Sequence, residues 1–270
     1  MGTMITIVVL ALGVVLLVWH VVAARRFRLH ARAMANALRA GPQTGDADPP
    51  EQVRRFALRN GAGQGGRLRA VTIRQDGVFQ VAPGKPFAPM PASQTIALGA
   101  PGFIWFATRS IGALPLFRVI DALIDGRGML QARLFGSIPV ANADGPVLTR
   151  SEAMRYLAEL PWAPDAILGN PRIVWGQDDG WITAALPLAP DPALVRFRLE
   201  DGDIVEMRAT NRPAQARDGT VTLRDWQGYF SDYDWIGDRR IPLSAQVGYV
   251  TDGVFAPYWK GRVVSYQIAP

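Results

Sequence analysis

The chain has 270 residues, 49% hydrophobic and 19% charged, with no cysteine and a formal charge of +6. So much apolar material excludes a wholly disordered or fibrous chain. The missing thiols exclude disulfide frameworks, thiolate zinc sites, iron-sulfur clusters and cysteine nucleophiles.

The only histidines, His20 and His30, precede any globular segment, which removes Ser-His-Asp catalysis and histidine-held metals from the body. The positive charge is local. From Arg25 to Arg74 eleven arginines face Asp46, Asp48 and Glu51, a balance of +8, whereas the chain from Gln75 onward carries −2. A basic partner-facing segment near the N-terminus is therefore expected, and no nucleic-acid-binding body.

Ile5 to Ala24 is twenty residues without formal charge, which as a helix spans about 30 Å, the thickness of a bilayer core. An uncleaved transmembrane anchor over residues 1–24 is expected. The alternatives are a secretory signal or a buried core helix, and the signal is disfavoured because no Lys or Arg precedes the apolar run. Arg25, Arg26, Arg28 and Arg32 follow it directly, so the positive-inside rule puts the body on the cytoplasmic side. Phe27, Ala31, Met34 and Leu38 then recur at helical spacing, as a basic helix lying on an anionic leaflet or as a solvated stalk. Gly41–Pro50, GPQTGDADPP, reads as a linker. Residues 25–50 thus form a basic juxtamembrane helix and linker, and 51–270 the folded domain.

From Arg67 the pattern has period two, broken by turn signals, the mark of an antiparallel sheet. Val195, Phe197 and Leu199 alternate with Arg196 and Arg198, Glu200-Asp201-Gly202-Asp203 turns the chain, and Val205, Met207 and Ala209 resume. Hairpins are also expected at Asp76-Gly77 and Asp125-Gly126. Further strands are read at 94–98, 103–109, 173–175, 181–188, 220–229, 240–249 and 255–268. One helix interrupts them: Thr149–Leu160, with Thr149 as N-cap, Glu152 completing a capping box and Pro161 ending it. Phe103-Ile104-Trp105-Phe106 is apolar on both faces, so both need cover. The expected fold is mainly β: a curved antiparallel sheet or half-open barrel around one short helix, preceded by the transmembrane helix.

The run Arg155-Tyr156-Leu157-Ala158-Glu159-Leu160-Pro161-Trp162-Ala163-Pro164, with Pro101-Gly102-Phe103-Ile104-Trp105, Arg240-Ile241-Pro242 and Tyr258-Trp259, resembles an uncharacterised bacterial family of membrane-associated domains. These carry an RYLAE-like helix followed by W-x-P, and the resemblance covers roughly Pro50 to Ile268. It implies an architecture and no activity, and it places the protein in a bacterial inner membrane. A wider analogy of fold links it to the half-open barrels of lipoprotein carriers, which hold acyl chains against a helix plug. The retained anchor and cytoplasmic body depart from those carriers and argue against a shuttle.

Gly61-Ala62-Gly63-Gln64-Gly65-Gly66 matches GxGxxG but precedes a strand, so it reads as a loop. Asp178-Asp179 and Glu200–Asp203 lack calcium-loop spacing, and no metal or other cofactor is expected. Seven tryptophans lie beyond the anchor, enough to line a concave apolar pocket as well as a core. The expected ligand-binding residues are Tyr156, Glu159 and Trp162 on the helix side, with Trp105 and Trp259. A buried Glu159 needs a partner, with Arg118, Arg133 and Arg240 as candidates. The expected function is non-catalytic binding of a lipophilic molecule or membrane partner, among membrane lipids. The rivals are a hydrolase pairing Glu159 with Asp232 or Asp234 on a carbohydrate or lipid head group, and a scaffold without a ligand.

Overall fold

The computed structural model describes residues 1–82, 84–215 and 219–270. Helix α1 (Gly2–Arg39) runs unbroken, and α2 (Glu51–Arg59) follows. Seven strands come next: β1 (Ala70–Phe79), β2 (Ala88–Pro89), β3 (Ala92–Ala97), β4 (Phe103–Ile111), β5 (Leu114–Ile124), β6 (Arg127–Leu134) and β7 (Ile138–Asp144). Helix α3 (Pro146–Ala158), a 3-10 turn Leu160–Trp162 and α4 (Pro164–Gly169) lead to β8 (Val174–Asp178) and β9 (Trp181–Leu186). The chain ends with β10 (Ala193–Glu200), β11 (Asp203–Gln215), β12 (Val221–Ile236), β13 (Arg239–Thr251) and β14 (Val254–Ala269).

All strands join one antiparallel sheet in the order β7-β6-β5-β4-β3-β1-β14-β13-β12-β11-β10-β9-β8, with β2 beside β1. Pairing of β1 with β14, Val71 opposite Ile268, zips the two halves together. The sheet does not close: β7 and β8 are both edges. The chain leaves the β7 edge, crosses the interior as α3, and re-enters at β8, so α3 packs against strands of both halves, β5, β6, β9, β10 and β11. An unclosed, strongly curved sheet wrapped on one helix is the expected half-barrel.

The two-faced apolar strands are covered twice. Phe103, Trp105, Ala107 and Leu123 point into the concave core with α3. Their neighbours of opposite parity, Ile104, Ile120, Ala122 and Ala97, meet Phe27, Ala31, Met34 and Leu38 of α1 on the convex side. Each large side chain so buried contributes roughly 1.5–3 kcal/mol over exposure. The apolar stripe of the basic helical stretch therefore grips the sheet, in place of the leaflet or solvent expected for it, and leaves Arg25, Arg26, Arg28 and Arg32 exposed. The preceding part of α1 contains an 18-residue window of mean hydropathy 2.8 with none of it buried, long and apolar enough to cross a membrane.

Three local expectations are corrected. Asp76-Gly77 does not turn the chain: β1 runs through it, held by β14 on one side and by β3 and then β2 on the other. Gly77 is needed there for space, since a Cβ would come within 2.9 Å of the Trp259 indole nitrogen. Asp232 and Asp234 lie inside β12 and not in a loop; Asp232 takes a left-handed φ of 55°, which aspartate tolerates. Helix α3 starts at Pro146, whose fixed φ suits a first helical position. Thr149 instead bonds back to Gly145 O and accepts from Gly128 N, which frees Glu152 from capping. The sequence pattern gives no sign of five short elements: α2, β2, β7, the 3-10 turn and α4.

Candidate ligand-binding site

Between α3 and the concave face lies a cavity of about 850 Å³, within the range of small-molecule sites. Strand parity sends Phe79, Phe117, Leu130, Met207, Phe230 and Val247 into it. Trp162 meets Trp259 and Phe230 edge-on at centroid distances of 6.2 and 5.7 Å, an arrangement aromatic rings favour.

The floor is polar. Ser151, Glu152, Arg155, Ala158 and Glu159 line the cavity, at the spacing of one helix face. The other face of α3, with Met154 and Leu157, is in the core. Both faces are thus buried, one by apolar packing and one by ion pairing. Arg155 Nε donates to Glu159 Oε1 at 2.9 Å, its Nη1 to Asp121, and its guanidinium stacks on Phe103 and Trp105. Gln94 Nε2 donates to the other Glu159 oxygen. Arg212 sits 3.5 Å from Glu152, donates to the Tyr249 hydroxyl, and covers the Trp226 ring at 4.4 Å.

Burial raises the Glu152 pKa well above the ordinary carboxylate range, the neighbouring Asp121 adds to this, and Arg212 and Arg155 offset it only partly. Burial also raises Glu159, against the pull of Arg155 and Gln94. For Arg155 burial acts downward, but Glu159, Asp121 and Glu152 together raise it, so it stays cationic. The floor thus sets two guanidinium groups, Arg155 and Arg212, among three buried carboxyl groups, Asp121, Glu152 and Glu159. Burial similarly pushes the Tyr258 hydroxyl up to about 12.

The floor's hydrogen bonding is incomplete. Gln94 Oε1, Arg212 Nε and Trp259 Nε1 are buried without a protein partner, and all three residues line the cavity, whereas the Glu152 and Asp121 carboxyl groups hydrogen-bond each other. Buried polar atoms normally find partners, so both donors and acceptors here stand ready for polar groups of something held inside.

Of the residues singled out in the sequence, Trp105, Glu159, Trp162 and Trp259 line the cavity together. Tyr156 lies in the core, donating to Ala97 O and accepting from Asn170 Nδ2. Glu159 is paired by Arg155 and Gln94; Arg118, Arg133 and Arg240 are not its partners, and Arg240 instead grips Asp203. Asp232 is exposed and bonds Ser244 and Arg262, and neither it nor Asp234 lines the cavity, so the hydrolase pair is not assembled. Among the described residues no cluster of three or more His, Asp or Glu could hold a metal ion. Sequence reasoning missed Arg155, Arg212, Asp121 and Gln94. Only Arg155 carried a signal, its i, i+4 spacing to Glu159.

The chain belongs to a family of unknown function, DUF6544, which it matches over residues 45–261. No curated protein matches it. It is similar to a LolA superfamily protein from Nitrosomonas europaea, with a TM-score of 0.40 and 9% identity over 82% of this chain and 92% of that one. It is also similar to a domain named for outer-membrane lipoprotein sorting from Vibrio parahaemolyticus, with a TM-score of 0.37 and 8% identity over 81% and 91%.

Proposed function

We propose that this DUF6544 member is an anchored, non-catalytic domain that holds an amphiphilic, lipid-class molecule in the cavity, α1 crossing the bacterial inner membrane and the body lying on the cytoplasmic side. One observation carries this proposal: an aromatic and aliphatic wall above an ion-paired polar floor with unpartnered donors and acceptors. Apolar walls favour a hydrocarbon tail, and hydroxyl or amide groups on the same molecule match the orphaned atoms. The carboxyl pair that a hydrolase would need from Glu159 with Asp232 or Asp234 is not brought together, since neither aspartate lines the cavity. Arg25, Arg26, Arg28 and Arg32 support the cytoplasmic side.

The test is mass spectrometry of lipids retained by the full chain extracted into polymer nanodiscs, beside Ala132→Trp, which fills the cavity from β6. The expected result is one lipid class enriched with the wild type and depleted with the variant. Equal lipid profiles for both folded proteins would refute the proposal.

A further inference from the structure

The two rims of the half-barrel differ chemically. At the rim below α3, the turns β5–β6, β8–β9, β10–β11 and β12–β13 carry Asp125, Asp179, Asp201 and Asp238. At the opposite rim the cavity opens beside Val81, Arg109, Pro213, Arg224 and Ala256. There the chain exposes Val81 after β1, Ile111 and Leu114 at β4–β5, Ile138 at β6–β7, Leu223 in β12, and Val254 at β13–β14. The acids at that rim, among the described residues, are Asp191, Asp225 and Asp252. The far rim exposes Trp235 beside the β12–β13 turn, so the apolar residues are concentrated at the open rim, and such a concentration marks a contact surface.

Helix α1 shows what that rim faces. Leu38 lies beside Gly102, in the β3–β4 turn of the aspartate-bearing rim. Phe27 packs on Phe106 midway up β4, with Arg133 over its ring at 5.1 Å. His20 Nδ1 reaches Ser137 Oγ at 2.7 Å in the β6–β7 turn of the open rim. The helix therefore climbs the body from the acidic rim to the open one, and residues 1–19 run on past it. At 1.5 Å per residue that is about 28 Å, a bilayer core in length. Exposed Arg25, Arg26 and Arg28 follow just inside this level, where each adds about 1 kcal/mol on an anionic surface.

We infer that the open rim rests on the leaflet from which α1 emerges, its apolar turns in the headgroup layer, so that the cavity mouth faces anionic lipid and its occupant passes between bilayer and cavity without entering water. This rests on α1 being the anchor and deepens the function proposed above.

The absence of native cysteine makes the test clean. Single cysteines replacing Leu114 and Val254 at the open rim, and Asp125 and Asp201 at the far rim, are labelled with an environment-sensitive fluorophore. The full chain is reconstituted in vesicles of phosphatidylcholine and phosphatidylglycerol with brominated acyl chains. Expected are blue-shifted, bromine-quenched emission at Leu114 and Val254, aqueous unquenched emission at Asp125 and Asp201, and loss of the Val254 quenching on Ile111→Asp with Leu114→Asp. Unquenched emission at both rims would overturn the inference, as would blue-shifted but unquenched emission at the open rim, which indicates a protein partner. Lipid retention in nanodiscs is read separately, so docking can fail while cavity binding stands, and the reverse.

Discussion

Arg155→Met tests the cavity floor most directly. The guanidinium is one of two cations compensating a buried acidic cluster, and it alone bonds both Asp121 and Glu159, whose side chains are 12% and 10% exposed. Methionine keeps much of the stacking on Phe103 and Trp105 but leaves both carboxylates without their cation. Removing one partner of a buried pair costs roughly 3–5 kcal/mol, against about 5–15 kcal/mol for a whole fold. That corresponds to a Tm drop of about 6–20 °C for a body of this size. Urea unfolding of the detergent-solubilised full chain, followed by tryptophan emission, measures it. If uncompensated charge is the cause, Arg155→Met with Glu159→Gln recovers at least about 1 kcal/mol of the loss, outside additive behaviour. A single-variant loss below about 1 kcal/mol, or strict additivity, would refute the account of the floor.

Glu152 gives a pH signature. Its folded pKa lies above the unfolded one, so its contribution is complete below the ordinary carboxylate range and is lost as pH climbs through the folded value. Wild-type Tm is therefore expected to fall more than that of Glu152→Gln as pH rises above the ordinary carboxylate range; parallel melting curves would contradict this. Phe27→Ala removes the ring between Phe106 and Arg133, a change worth about 3–5 kcal/mol in a core. Hydrogen exchange of residues 24–38 should accelerate while α3 stays protected, and unchanged exchange would show that α1 is held otherwise. A cysteine at Asp201, probed in spheroplasts with an impermeant maleimide, should react only after permeabilisation; reaction in intact spheroplasts would put the body outside.

Much of the architecture was legible because it depends on period and punctuation. The alternation through Val195, Phe197 and Leu199 and the Asp-Gly turns at 125–126 and 201–202 act locally, and the strands form where they indicate. Asp76-Gly77 misled because the same dipeptide serves a different need: Gly77 makes room for Trp259, which is 182 positions away in sequence. Glu152 misled because Thr149 followed by an acid three residues on is locally a capping box, whereas Pro146 had already started the helix. The cavity's tryptophans could be suspected from their number. Its ion pairs could not, since Asp121, Arg155 and Arg212 come together only when β5, α3 and β11 are curled around one interior.

The way α1 is held sets how anchor and cavity work together. A free ten-residue linker after a membrane helix would let a body wander through tens of ångströms and face the bilayer at any angle. Here the chain after the helix is itself fastened: Thr44 N donates to Leu68 O, Gly45 N to Gly169 O and Ala47 N to Leu168 O. Arg39 reaches Thr72 on β1, and Arg69 donates to Gly41 O. Helix α1 is thus clamped along β3, β4 and β5 and again at its foot. If it is the proposed anchor, a tilt of the helix in the bilayer carries the sheet with it. Since the clamped strands also form one wall of the cavity, through Trp105, Phe117 and Asp121, loosening α1 should reach the floor ion pairs through that shared wall. Phe27→Ala combined with Arg155→Met should then destabilise by more than the sum of the two, because each removes support from the same three strands; strict additivity would show that the convex and concave faces of the sheet respond independently.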